Sequence, residues 1–132
     1  LSYCCPRVLG RINQEVLMSV LDVTRQYFEL SNRRDLEKIF SMFSEDATYS
    51  SENTGLYFGL EDIRSMVTNF YSNFPYLHWE IHSIEETTPN IAEVVFTLTA
   101  KDTSGNEIIR PGIERVVVVD EELRHVEVRN SR

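Results

Sequence analysis

The chain has 132 residues, 42% of them hydrophobic, and a formal net charge of −8. That length fits one domain with a core of useful size. The acidic balance argues against a nucleic-acid partner, which needs clustered Lys and Arg, and disfavours an anionic membrane surface. No apolar run approaches the roughly 18 residues of a membrane span, so the expectation is a cytoplasmic protein.

The first stretch, "LSYCCPRVLG", lacks a basic start followed by an apolar run and reads as a tail over residues 1–11, ahead of one domain over 12–132. Cys4 and Cys5 are adjacent and are the only cysteines. They cannot form a long-range bridge, and no further Cys or His stands near them for a metal.

Residues 12–31 read as a helix. Val16, Leu17, Val20, Leu21, Thr24, Tyr27 and Phe28 fall on one stripe at three- and four-residue spacing, and Asn13 is the expected N-cap. "SNRR" interrupts the stripe. Asp35 then caps a shorter helix with Leu36, Ile39, Phe40 and Phe43 on one face. "DATYSSENTGLYFG", residues 46–59, begins as a strand and dissolves into a polar loop. Phe58 is expected to point inward and Tyr57 outward, with Gly55 and Gly59 permitting a sharp return. A third helix follows, with Leu60, Ile63, Met66, Val67 and Phe70 on one side and Pro75 as its stop.

The period then changes from 3.6 to 2. "HWEIHSIEE" alternates Trp79 and Ile81 against His78, Glu80 and His82; "IAEVVFTLTA" alternates Ala92, Val94, Phe96 and Leu98 against Glu93, Val95, Thr97 and Thr99. "TSGN" is a tight turn. "EIIRPGIERVVVV" is a long strand with a bulge expected at Pro111–Gly112, and "LRHVEVR" closes the chain. Helices first and about four long strands after predict an α+β fold, a curved antiparallel sheet wrapped on three N-terminal helices. Such a sheet leaves a hollow at one end of the core, a place for a ligand.

Two segments carry a family resemblance: "YFELSNRRDLEKIFSMFSEDATYSS", with its D-L-x-x-I-x-x-x-F-x-x-D-A core, and "GLYFGLEDIRSMVTNFY". From about residue 14 the chain resembles the NTF2-like superfamily, a cone-shaped, cystatin-like α+β fold, and in particular its SnoaL-like branch. The superfamily includes isomerases, dehydratases, epoxide hydrolases, cyclases and members with no chemistry, so the resemblance is specific for fold. Ketosteroid isomerase is the informative comparison. Its helix tyrosine corresponds to Tyr27, and its protonated late-strand acid falls near Glu114. Its base position falls on Ser51, with Glu52 next to it, so the base is displaced or lost.

Each candidate has a plain alternative. Tyr27 is either a core tyrosine or a donor in the pocket wall. Glu114 lies in a strongly apolar strand, where a carboxyl must be paired or protonated. Either Arg110 pairs with it or it faces the pocket with a raised pKa. Trp79 is core or pocket wall. Glu52 has the wrong strand parity for an inward base, and neither Ser50 nor Ser51 has an evident His partner. His78 and His82 are about 13 Å apart along a strand, too far to share a metal. The expectation is a pocket lined by Tyr27, Tyr49, Ser51, Phe58, Trp79, Phe96 and Glu114, taking a small, largely apolar molecule. If the protein is an enzyme, the simplest class of chemistry there is proton transfer without a cofactor, with Tyr27 and Glu114 holding an oxyanion and Glu52 or a water on Ser51 handling the proton. The competing expectation is a non-catalytic interaction module. In either case a homodimer is expected through the outer sheet face, where Glu93, Val95, Thr97, Thr99, Ile113, Val117 and Val119 would leave β-branched surface in water.

Overall fold

The computed structural model describes residues 17–131. The expected tail over 1–11, the helix start at Ile12 and the Asn13 cap lie outside them. The first helix, α1, spans Val20–Arg33, so residues 17–19 are not helical and Leu17 is exposed. The start is set by Ser19, whose Oγ accepts from the Asp22 amide at 3.1 Å. Val23, Thr24, Tyr27, Phe28 and Leu30 form the buried stripe. Thr24 sits in it because its hydroxyl donates to the Val20 carbonyl at 2.7 Å.

The "SNRR" segment does more than end the stripe. Asn32 donates to the Trp79 carbonyl at 3.0 Å and accepts from the Trp79 amide at 2.8 Å. Arg34, left-handed at φ 58°, donates to the carbonyls of Tyr71 at 2.8 Å and Phe74 at 3.0 Å, and its guanidinium lies 4.9 Å from the Tyr71 ring. The end of α1 is thereby fastened to both the sheet and the third helix. Helix α2 spans Leu36–Ser41. The Asp35 carboxylate does not cap it; its backbone carbonyl accepts from Ile39 at 3.0 Å. Phe43, expected on the helix face, is instead the buried first residue of strand β1, Phe43–Ser51.

A hairpin joins β1 to β2, Gly55–Phe58, and helix α3 follows over Leu60–Asn73. Strands β3 (Tyr76–Thr88), β4 (Ile91–Lys101), β5 (Glu107–Val119) and β6 (Glu122–Asn130) complete one sheet in the order β2-β1-β6-β5-β4-β3. Two expectations change here. The sheet is not wholly antiparallel, because β1 pairs parallel with β6. The helices are also not all N-terminal to the strands, since β1 and β2 separate α2 from α3. The long strands themselves alternate as expected, with Ala92, Val94, Phe96 and Leu98 of β4 and Val116 and Val118 of β5 buried under the helices.

The bulge expected at Pro111–Gly112 is absent: β4 and β5 stay in register from Ile91 opposite Val117 to Lys101 opposite Glu107. Pro111 is tolerated because its missing N–H faces the β6 side, where β6 is ending, and leaves the β4 ladder intact; its carbonyl accepts from Ser131 at 3.0 Å. Gly112 has a packing reason. A Cβ there would lie 2.6 Å from Phe96 Cζ and 3.1 Å from the Arg129 carbonyl oxygen. The shift occurs further on, between Val117 and Val118 against β6.

The aromatic pair is reversed relative to expectation. Tyr49 stands opposite Tyr57 and Thr48 opposite Phe58 in the β1–β2 hairpin. With Tyr49 inward, cross-strand partners share a face, so Tyr57 packs edge-on against Tyr49 at 6.3 Å while Phe58 is 69% exposed.

Candidate functional site

The cavity lies between α1, α3 and the concave side of the sheet and measures about 90 Å³, enough for several waters or a small organic molecule. It continues into a broader outer basin along α3, sharing Asn53, Thr54, Met66, Phe70 and Arg110 with it. Six of the seven expected residues, Tyr27, Tyr49, Ser51, Trp79, Phe96 and Glu114, line the cavity. Phe58 does not, for the register reason given above.

Glu114 is brought there by strand parity. Gly112, Glu114 and Val116 share the buried face of β5, and Glu114 stands between Val94 of β4 and Val128 of β6. It is 3% exposed. Its Oε2 is buried without a hydrogen-bond partner, and burial pushes its pKa from 4.5 up to about 8. At neutral pH the carboxyl is therefore mostly protonated and carries a hydrogen it can donate. No ion pair joins it to Arg110. The two stand four residues apart on the strand, about 13 Å, and the expected pairing gives way to a neutral acid.

Three tyrosines surround that acid. Tyr27 comes from α1 and packs edge-on against Phe43 at 5.9 Å. Burial raises its pKa well above the ordinary value, and Tyr49 and Glu114 raise it further. Tyr49, brought in by β1, is raised first by burial and then by Glu114. Tyr71, from α3, donates to the Ser31 carbonyl at 2.9 Å. Burial pushes it up to about 12, against the lowering effects of Ser31 and Arg34. All three phenols stay neutral across the physiological range. Trp79 completes the wall, 6.1 Å from the Tyr71 ring and held by Asn32.

Tyr71 lies outside the residues expected at the cavity, although it continues the α3 stripe four residues after Val67. Met66 and Phe70, recognised as stripe residues, also line the cavity. The polar loop sits at the mouth. Ser51 Oγ accepts from the Asn53 amide at 3.1 Å, which makes it a turn residue. Ser50 faces away from the cavity, its Oγ accepting from Arg129 at 2.9 Å. The Glu52 carboxylate is exposed and accepts from the Asn130 amide at 2.8 Å. Glu114 is the only carboxylate among the described residues that line the cavity. His78 and His82 lie exposed on the outer face, where His82 hydrogen-bonds Thr97 at 2.8 Å. No described helix is long and apolar enough to cross a membrane. Chemically, the arrangement is an apolar chamber whose deep end holds a neutral carboxyl and neutral phenols, of which Tyr71 already donates to Ser31 while Tyr27 and Tyr49 share a hydrogen bond.

Solved structures with the same fold are numerous. An NTF2-like protein of unknown function from Burkholderia pseudomallei superposes with a TM-score of 0.77 at 13% identity, over 86% of this chain and 92% of that one. An uncharacterised cystatin-fold protein from Novosphingobium aromaticivorans gives 0.74 at 19% identity, over 85% and 98%. A hypothetical protein with a ketosteroid isomerase-like fold from Catenulispora acidiphila, solved in complex with trimethylamine, gives 0.75 at 12% identity, over 83% and 85%. At these identities the likeness concerns the fold alone. No curated protein matches the sequence. The sequence pattern of the SnoaL-like domain matches residues 24–126, which takes in most of α1, all of α2, the hairpin, α3, β3 to β5 and the first half of β6, and the chain belongs to that SnoaL-like family.

Proposed function

We propose that this protein binds a small, largely apolar molecule through an oxygen that accepts hydrogen bonds from Glu114 and the hydrogen-bonded Tyr27–Tyr49 pair. The observation that carries the reading is the Glu114 carboxyl, buried in a cavity wall with Oε2 unpartnered. A lone buried polar atom costs roughly 1–3 kcal/mol, and a ligand oxygen would relieve that cost.

The chemistry such a site supports is proton donation and the holding of negative charge that develops on a bound oxygen. Tyr27 and Glu114 carry that role. Proton abstraction has weaker support, because Glu52 is engaged by Asn130 outside the cavity and Ser51 serves a turn. The test is a titration with acetophenone, an apolar ring bearing one accepting carbonyl, read through Trp79, the sole tryptophan. Saturable quenching that weakens in Tyr27→Phe supports the reading. Linear, collisional quenching identical in both proteins overturns it.

A second reading concerns assembly and rests on the outer sheet face. Val95 of β4 and Ile113 and Val117 of β5 remain partly exposed there beside Thr97 and Thr99, and Val95 stands directly opposite Ile113. A second copy of the chain would cover this β-branched surface. Light scattering at micromolar concentration then gives twice the chain mass, and a monomer mass refutes it.

A further inference from the structure

Arg110 is the one cation among the described residues lining the cavity, and it also lines the outer basin. It stands opposite Leu98 on the inward face of β5, half-buried. Its guanidinium makes no hydrogen bond or ion pair with any described residue. The polar groups around it are already satisfied. Asn53 and Asn130 hydrogen-bond each other reciprocally, both at 3.0 Å. The Thr54 carbonyl accepts from the Tyr57 hydroxyl at 2.9 Å. Asp62, the acid of the outer basin, is turned toward the Phe58 amide, 3.4 Å from Oδ2.

A guanidinium that loses part of its hydration with no partner is held at a cost unless something else supplies one. Most of the chain's acids are on the surface, and five arginines elsewhere (Arg25, Arg64, Arg115, Arg124 and Arg129) are paired with them. Arg110 is left open at the cavity mouth in a chain of net charge −8. Four residues of strand, about 13 Å, separate it from Glu114. Between the two poles the walls are Met66, Phe70, Trp79, Phe96 and Leu98.

We infer that the ligand is an apolar carboxylate about one or two rings long, whose acid group pairs with Arg110 at the mouth while an oxygen at its far end reaches the Glu114 and Tyr27 donors. Arg110 thereby sets the substrate class: it selects acids over neutral molecules of the same shape, and its planar fork suits a carboxylate held by two parallel bonds. This inference rests on the donor-lined cavity proposed above and adds to it the charge at the other end.

Two probes separate the inference from the reading beneath it. Acetophenone carries the accepting oxygen alone; 4-acetylbenzoate adds a carboxylate on the opposite side of the ring. Both are titrated by Trp79 fluorescence, and the readout is the ratio of their affinities. A charge-assisted pair predicts that wild type binds the acid about tenfold tighter or better. The ratio falls to about one in Arg110→Gln, recovers in part in Arg110→Lys, and shrinks as salt is raised. If acetophenone binds and the acid binds no tighter, Arg110 is not a carboxylate clamp, although the donor-lined pocket stands. A high ratio that survives in Arg110→Gln also overturns the inference. If neither probe binds saturably, both the inference and the pocket reading fall. Circular dichroism of each variant confirms the fold, to which the Arg110 side chain contributes no hydrogen bond or ion pair among the described residues.

Discussion

Replacing Glu114 by glutamine should change how stability depends on pH. The carboxyl has a pKa of about 8 in the folded chain against 4.5 as a free side chain. Because the folded value is the higher one, folding takes up a proton between those limits, and stability falls as pH rises through that window. Below pH 4.5 both states are protonated and the penalty vanishes. At 1.36 kcal/mol per pKa unit, wild type should lose about 2–3 kcal/mol between pH 5 and 7 that Glu114→Gln does not lose. Other titrating groups are common to both proteins, so the difference between the two curves isolates this one. Glutamine keeps the shape and one donor but has no charge to bury. Urea melts followed by Trp79 fluorescence at pH 5, 6, 7 and 8 measure the effect. Curves that run parallel would show that the folded carboxyl titrates as it does in the unfolded chain, and the account of a neutral donor would fail.

The remaining predictions concern packing. Phe58→Ala should shift stability by no more than about 0.5 kcal/mol, since the ring is exposed and touches no core; a loss above about 2 kcal/mol in denaturant melts would place it inside. Gly112→Ala should destabilise by about 1–3 kcal/mol, because Phe96 lies 2.6 Å from the new methyl and is itself packed against Phe28 at 6.3 Å. Adding Phe96→Leu should recover part of that loss, and a double mutant worse than the sum would contradict the overlap. Ser19→Ala removes the α1 cap and should cost about 1 kcal/mol; an unchanged thermal midpoint would mean another residue starts the helix.

Most of the fold was legible because its elements have clear periods. The α1 and α3 stripes and the two-residue alternation of β4 and β5 need no tertiary information. Glu114 stood out for the same reason, as a carboxyl on an apolar strand face. What escaped depends on pairing between distant segments. The parallel contact of β1 with β6 and the Tyr49–Tyr57 register that turns Phe58 outward are set by which strands meet. The straight passage of β5 through Pro111–Gly112 likewise depends on β6 ending beside it. Tyr71 was readable in principle at four residues from Val67. Arg110 was noticed only as a partner for Glu114. That it stands alone at the mouth follows from a distance along the strand that the same spacing contained.

The most direct test of the central claim is the carbonyl stretch of acetophenone labelled with carbon-13 at the carbonyl, measured by isotope-edited infrared difference spectroscopy in the bound state. Hydrogen bonds from Glu114 and Tyr27 predict a band at lower frequency than in an apolar solvent, moving part of the way back in Tyr27→Phe. A bound probe that absorbs at its apolar-solvent frequency, unchanged in that variant, would show that these donors do not meet the ligand.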